Sequence, residues 1–206
     1  MLSVEDMMQR VERIAKLRNR WFFQQRDDRI ALVDNQEIQY FARHADGGFV
    51  VVERNRGKEE EVLRLPDLEH ALLMISVLLD DGFHSEPQEL RDMSEFIEAC
   101  PRVSDGELAA LIARFIDPRY FALGMPDRDG CVWLKARDGV HDITYRDGQG
   151  HDHLISNGYS RDSDVAVLGN YAWTLQYVRH RANDWGFEAG DPQLERIVKQ
   201  ALWIRE

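Results

Sequence analysis

The sequence contains the same order of elements twice, and this pattern constrains the fold more than any other feature. Residues 20–83 begin with an aromatic segment and an aspartate turn, continue through alternating strands, and end in an apolar helix closed by a Gly-Phe pair. Residues 119–187 follow the same order and close on a second Gly-Phe pair. Such self-similarity indicates a repeated supersecondary unit. We therefore predict an α+β fold of duplicated β-β-β-α units that form antiparallel sheets packed by helices.

The length of the chain indicates its domain organisation. A chain of 206 residues buries enough surface to form a core without a disulfide or a structural metal. We predict a single compact domain over 1–206, built of two pseudo-repeat halves, about 20–83 and 119–187, with a helical segment over 86–117 between them. Within that segment, a serine and a glutamate at 104 and 107 have the spacing of a capping box.

Local signals place the other elements. Ser3 is an expected N-cap for an opening helix, and Asp67 is expected to cap the helix of the first half. The corresponding helix of the second half is expected over about 170–183. Asp191, which a proline follows, predicts the start of a last helix. The second half is expected to open with a strand over 119–123.

The charge of the chain limits its partners. The sequence has 37 acidic and 26 basic side chains, which leaves a formal net charge of −11. Because such a surface repels phosphates and anionic lipids, we expect neither nucleic acid nor membrane as a partner. The same field favours encounter with a basic protein. The sequence has neither the features of a secretion signal nor an apolar run long enough for a membrane span, so we expect a soluble, cytoplasmic protein.

A histidine pair is the candidate metal site of this sequence. His151 and His153 are two residues apart, so on a strand both imidazoles face one side, as in a metal ligand pair. If the preceding Asp-Gly-Gln-Gly segment is the loop, Arg146 lies opposite His151 and Thr144 opposite His153. Asp142 is then the remaining ligand within reach. Because Arg146 adds a positive charge and closed sites need three or four ligands, we expect no metal.

Aspartates are concentrated in sequences typical of turns. Paired carboxylates divide acid and base catalysis only where burial or close approach separates their pKa values. Asp-Gly turns have a structural reason of their own, so we interpret these residues as solvated turns. The sequence shows no nucleophile elbow, Walker loop, dinucleotide fingerprint or zincin helix, so we expect no catalytic residue and no cofactor. The turn aspartates are Asp127, Asp129, Asp138, Asp147, Asp162 and Asp164.

Three short segments of the first half share their order with a known family. They read Gln36-Glu37-Ile38-Gln39-Tyr40, then Asp46-Gly47-Gly48-Phe49-Val50-Val51, then Glu53-Arg54-Asn55-Arg56-Gly57, and an apolar helix follows. This order resembles bacterial immunity proteins related to the antitoxin of secreted necrotizing NAD-glycohydrolase toxins. In that family an E-I-R-Y strand, a turn, a second strand and an R-G turn precede a helix. The resemblance covers residues 36–83, and Gln39 stands where the family has a basic residue.

The resemblance implies a non-catalytic immunity protein that binds and inhibits a cognate protein toxin. A NAD-consuming toxin is one partner that it implies, and toxins of other chemistries stay open, as does the oligomeric state. A small hydrolase or metal-dependent enzyme that uses Asp142, His151 and His153 is the alternative, and a structural or regulatory module is a third. For an immunity protein we predict a partner-binding face on the acidic turns of the second half, formed by Asp138, Asp147, Asp152, Asp162 and Asp164.

Overall fold

The computed structural model describes residues 1–17, 22–26, 29–34, 37–79, 104–138, 140–159 and 161–204. Within these residues the fold is α+β, as the sequence predicts, and it contains five α-helices and two sheets. The helices are α1 (Val4–Leu17), α2 (Leu68–Leu79), α3 (Asp105–Ile112), α4 (Arg161–Trp185) and α5 (Pro192–Ala201), with a 3₁₀ helix at Pro118–Tyr120. The strands are β1 (Phe22–Arg26), β2 (Arg29–Asp34), β3 (Ile38–Ala45), β4 (Gly48–Asn55), β5 (Lys58–Leu65), β6 (Phe121–Ala122), β7 (Cys131–Arg137), β8 (Val140–Arg146) and β9 (Asp152–Tyr159).

The chain forms two compact units. Unit 1 comprises Met1–Asp81 and Arg181–Gln200, and unit 2 comprises Gly82–His180 and Ala201–Glu206. Each unit contains one of the two sheets, and α4 contributes residues to both. The predicted helical segment lies outside the described residues from 86 to 103, and its remaining part contains α3.

The sheet of unit 1 is an antiparallel meander in the order β1-β2-β3-β4-β5. The predicted hairpin at β3 and β4 is confirmed, since Phe41 pairs with Val52 and Ala45 pairs with Gly48. Gly47 has a φ of +82°, a conformation that L side chains rarely adopt, so glycine suits this tight turn.

The core of unit 1 follows from the alternation of side chains along these strands. Phe41 and Val52 form one buried cluster with Leu32 and Val50, all 0 to 1% exposed. Helix α2 packs against the sheet and is buried around nearly its whole circumference. This is expected for a helix that is apolar on every side. The unit therefore has a core large enough to hold the surrounding polar groups in fixed positions.

The sheet of unit 2 differs from the prediction at its first strand. The order is β6-β7-β8-β9, in which β7, β8 and β9 are antiparallel, whereas β6 pairs parallel to β7. The strand predicted over 119–123 is wrong at its start, because Pro118–Tyr120 form a 3₁₀ helix and the strand holds two residues. Proline at the first position favours the helical turn.

The two sheets share a three-strand motif. In unit 1, β3, β4 and β5 form a meander that α2 follows, and in unit 2, β7, β8 and β9 form a meander that α4 follows. The aromatic strands that precede these motifs differ, since β1 is antiparallel to its neighbour and β6 is parallel. The β-β-β-α order is therefore present in both units, with different flanking strands.

The capping residues predicted from the sequence are confirmed. The Ser3 hydroxyl accepts a hydrogen bond from the backbone N–H of residue 6, and Ser104 and Glu107 form a capping box. Asp67 and Asp191 accept bonds from the backbones of α2 and α5. The helix predicted over 170–183 is longer, since α4 begins at Arg161. Acidic residues favour the first turn of a helix, so the sequence around Asp162 and Asp164 is compatible with a helix start as well as with a turn.

Candidate functional site

The β8–β9 turn of unit 2 is organised by a buried carboxylate. Asp147 is 3% exposed. Its Oδ1 accepts hydrogen bonds from the backbone N–H of Gln149 at 3.0 Å and of His151 at 2.9 Å, and its Oδ2 lies 2.8 Å from His153 Nε2. A carboxylate can accept all of these bonds at once, which offsets the cost of its burial. The interpretation of Asp147 as a solvated turn residue is therefore wrong.

His153 joins this turn to the helix behind the sheet. Its ring stacks on Tyr145 with the two centroids 6.4 Å apart, and Tyr145 is fully buried. The Tyr145 hydroxyl accepts a hydrogen bond of 3.1 Å from Arg179 Nη2 on α4. A continuous chain of contacts thus runs from Asp147 through His153 and Tyr145 to α4, and it fixes the turn on a rigid support.

The register predicted for β8 and β9 is wrong by one residue. Arg146 pairs with Asp152, and His153 lies opposite Tyr145. Five residues, 147–151, lie between the paired Arg146 and Asp152, one more than the expected loop of 147–150. The Asp147 N–H donates to the His151 carbonyl at 2.9 Å, so 148–150 form a three-residue hairpin loop with a bulge, which Gly150 allows with its left-handed φ of +80°.

This register separates the residues of the alternative enzyme. Asp142 lies opposite Lys135, and its Oδ2 is 3.2 Å from Arg137 Nε. Because side chains alternate along a strand, Asp142 and Tyr145 point to opposite faces of the sheet, and His153 shares the face of Tyr145. Asp142 therefore does not join His153. The carboxylate that the turn brings to His153 is Asp147.

The loop over 124–130 is fastened to the sheet by two arginines. Arg128 donates to the backbone carbonyls of residues 118, 119 and 121. Arg146 donates to the Pro126 carbonyl at 3.1 Å and binds both oxygens of Asp152 at 2.9 and 3.3 Å. The Arg146 guanidinium also lies 5.4 Å from the centre of the Trp133 ring. These bonds hold the loop through the Arg128 side chain and through the Pro126 carbonyl.

Acidic side chains occupy this end of the sheet. The side chain of Asp127 is 89% exposed, and Asp129 is also exposed. A Cβ placed on Gly150 would lie 3.4 Å from Asp129 Oδ1, so the loop adjoins the β8–β9 turn. The hydrogen bonds from Arg146 hold the pKa of Asp152 below its usual value, against the opposing effect of partial burial. We call Asp127, Asp129 and Asp152 the acidic rim.

The residues predicted as one partner-binding face are divided between two ends of the sheet. Asp147 and Asp152 lie at the β8–β9 turn, whereas Asp138 lies in the exposed β7–β8 turn at the other end of β8. A seven-residue strand spans roughly 20 Å, so one small face does not include both turns. Asp162 and Asp164 belong to the first turn of α4 rather than to a surface turn. The partner-binding role of these residues stays a prediction.

Sequence reasoning counted Asp127 and Asp129 among the turn aspartates and did not assign them to the partner-binding face. The available signal was the sequence Pro-Asp-Arg-Asp-Gly at 126–130, a strong turn pattern with an arginine between two acids.

Among the described residues, no group of three or more His, Cys, Asp or Glu side chains is placed to hold a metal ion. In the same part of the chain, no helix has the length and apolar character of a membrane span.

Comparisons with known proteins give no relative for this chain: no protein-family model, no curated protein and no solved structure matches it.

Proposed function

We propose that this chain is a non-catalytic immunity protein that binds and inhibits a cognate protein toxin, with the acidic rim of unit 2 as part of its interface. The observation that carries the proposal is the rigid support of that rim. Asp127 and Asp129 are exposed on a loop held by Arg128 and Arg146. Little conformational entropy is lost when such a loop binds, and preorganisation of this kind favours tight complexes.

Charge supports the same proposal. The net charge of −11 favours encounter with a basic partner, and exposed carboxylates near the contact contribute most to this steering. The order of segments that resembles the immunity proteins falls on β3, β4, β5 and α2 of unit 1. Inhibition by a plug in a substrate cleft needs an interface of ordinary size and no catalytic residue. A NAD-consuming toxin stays one candidate partner.

The experiment first asks whether a secreted protein is encoded beside this chain, and then uses that protein as the partner in a measurement of association rate against salt concentration. We compare the wild-type chain with an Asp127→Asn/Asp129→Asn variant. We expect the variant to associate roughly threefold to tenfold more slowly at low salt and to show a smaller salt dependence, because two steering charges are removed.

The matched control is Glu5→Gln/Glu60→Gln, which removes the same number of charges from exposed positions in unit 1. This control should associate at nearly the wild-type rate. Equal rates for wild type and the Asp127/Asp129 variant at every salt concentration would place the interface elsewhere. Absence of any complex would contradict the immunity function itself.

A further inference from the structure

A cleft of about 250 Å³ lies at one end of the sheet of unit 1. Its lining residues come from the β3–β4 turn, the end of β5 with the residue that follows it, and α5. Its walls are mixed, with apolar surface from Phe49, Leu65 and Pro66 and with charged groups from Arg64, Arg196 and Asp46. A cavity with apolar walls and a few oriented polar groups is typical of a small-ligand site.

Arg196 is the charged group that the cleft holds in a defined orientation. Its Nη1 donates to the Arg64 carbonyl and to Gln193 Oε1, both at 2.8 Å. These two bonds fix the plane of the guanidinium and use only one of its three nitrogens. Its Nε and Nη2 donate no hydrogen bond to any residue that the structure describes, and no carboxylate of the described residues pairs with it.

Arg64, the other arginine of the cleft, is already paired. Its Nε and Nη2 bind both carboxylate oxygens of Glu61 at 3.0 and 2.8 Å. The fork of Nε and Nη2 that Arg64 uses for Glu61 is the same fork that Arg196 presents without an acceptor. This geometry matches a planar carboxylate with two parallel hydrogen bonds.

We propose that this cleft is a binding site for a small organic carboxylate, which the Nε and Nη2 groups of Arg196 bind and whose apolar body packs on Phe49 and Pro66. A singly charged anion fits better than a phosphate dianion, because Asp46 at the cleft and the net charge of −11 repel the second charge. The site lies wholly in unit 1 and does not depend on the function proposed for the acidic rim.

The test uses the full chain, with benzoate as the probe, benzamide as its neutral counterpart and inorganic phosphate as the competing anion. Amide resonances are followed by nuclear magnetic resonance, and affinity is measured by calorimetry. We expect benzoate to shift the resonances of residues 46–49 and 193–196, phosphate to bind more weakly, and benzamide to bind weakly or not at all. Equal affinity for benzamide, or tighter binding of phosphate, would overturn the proposal.

Variants separate binding from folding. Arg196→Gln should weaken benzoate binding roughly tenfold or more, since it removes a charge-assisted pair of hydrogen bonds. Arg196→Lys keeps the charge without the planar fork and should give an intermediate affinity. Arg13→Gln removes an exposed arginine of α1 and should bind as wild type does. Benzoate affinity that is unchanged in both Arg196 variants would show that benzoate binds as an adventitious additive only.

Discussion

The Nε2 of His70 lies 2.8 Å from Oδ2 of Asp191, although 121 residues separate them in the sequence. His70 Nδ1 lies 2.6 Å from Asp67 Oδ1, and the ring packs on Phe187 with centroids 4.8 Å apart. Both aspartates also cap helices, since they accept bonds from the backbones of α2 and α5. One buried histidine therefore joins the start of α2 to the start of α5.

This geometry predicts that His70 contributes to stability. His70→Gln should lower the free energy of unfolding by roughly 1 to 3 kcal/mol, because the glutamine amide cannot reach Asp67 and Asp191 at the same time as the two ring nitrogens do. His44→Gln, at an exposed position of β3, is the control and should change stability little. A loss of stability in His70→Gln no larger than in His44→Gln would contradict this account.

Asp191 predicts how stability changes at acid pH. Burial by itself would raise the pKa of Asp191, but hydrogen bonds from His70 and from two backbone N–H groups outweigh it and place the pKa below the ordinary value of 3.8. A lowered pKa in the folded state stabilises the fold above the unfolded value, and this stability is lost as the pH falls. Unfolding measured below about pH 4 should therefore show a steeper loss of stability in wild type than in Asp191→Asn. If stability falls equally steeply with pH in wild type and in Asp191→Asn, the pairing of Asp191 with His70 does not lower the pKa of Asp191.

Asp147 and Asp138, which both precede a glycine at an end of β8, allow a matched comparison. Asp147→Ala should lower the free energy of unfolding by roughly 2 to 4 kcal/mol, because two backbone N–H groups and His153 lose their buried acceptor. Asp138→Ala is the control, with some strain expected from its left-handed φ of +47° but no buried acceptor lost. Denaturant unfolding measures the free energy of unfolding of both variants and of the wild type. Equal destabilisation would show that the Asp147 contacts add no stability.

Cys131 should be unreactive in the folded protein. Its side chain is buried, and this burial raises the pKa of the thiol from 9.0 to about 11. The thiolate is the reactive form, so two pH units correspond to roughly a hundredfold smaller thiolate fraction. With Cys100 replaced by serine, alkylation at neutral pH should be slow in the native protein and fast after unfolding. Equal rates in both states would contradict the burial of Cys131.

Local signals in the sequence predict much of this fold, because caps and tight turns depend on neighbouring residues. The Ser104–Glu107 capping box and the hairpin at Gly47 are examples. The burial of Asp147 was missed because an extra residue in its loop shifts the register by one position. The pairing of His70 with Asp191 joins distant segments, so no local pattern indicates it. Arg196 similarly acquires its orientation only when α5 meets β5.

We propose that this chain protects a cell from a protein toxin. The most direct measurement is the growth of cells that express, in the cytoplasm, a secreted protein found to be encoded beside this chain (the neighbouring protein), with and without this chain. We expect growth to stop with the neighbouring protein alone, to recover with the wild-type chain or the Glu5→Gln/Glu60→Gln control, and to recover less with Asp127→Asn/Asp129→Asn. A neighbouring protein that stops growth equally in the presence and absence of this chain would contradict the account.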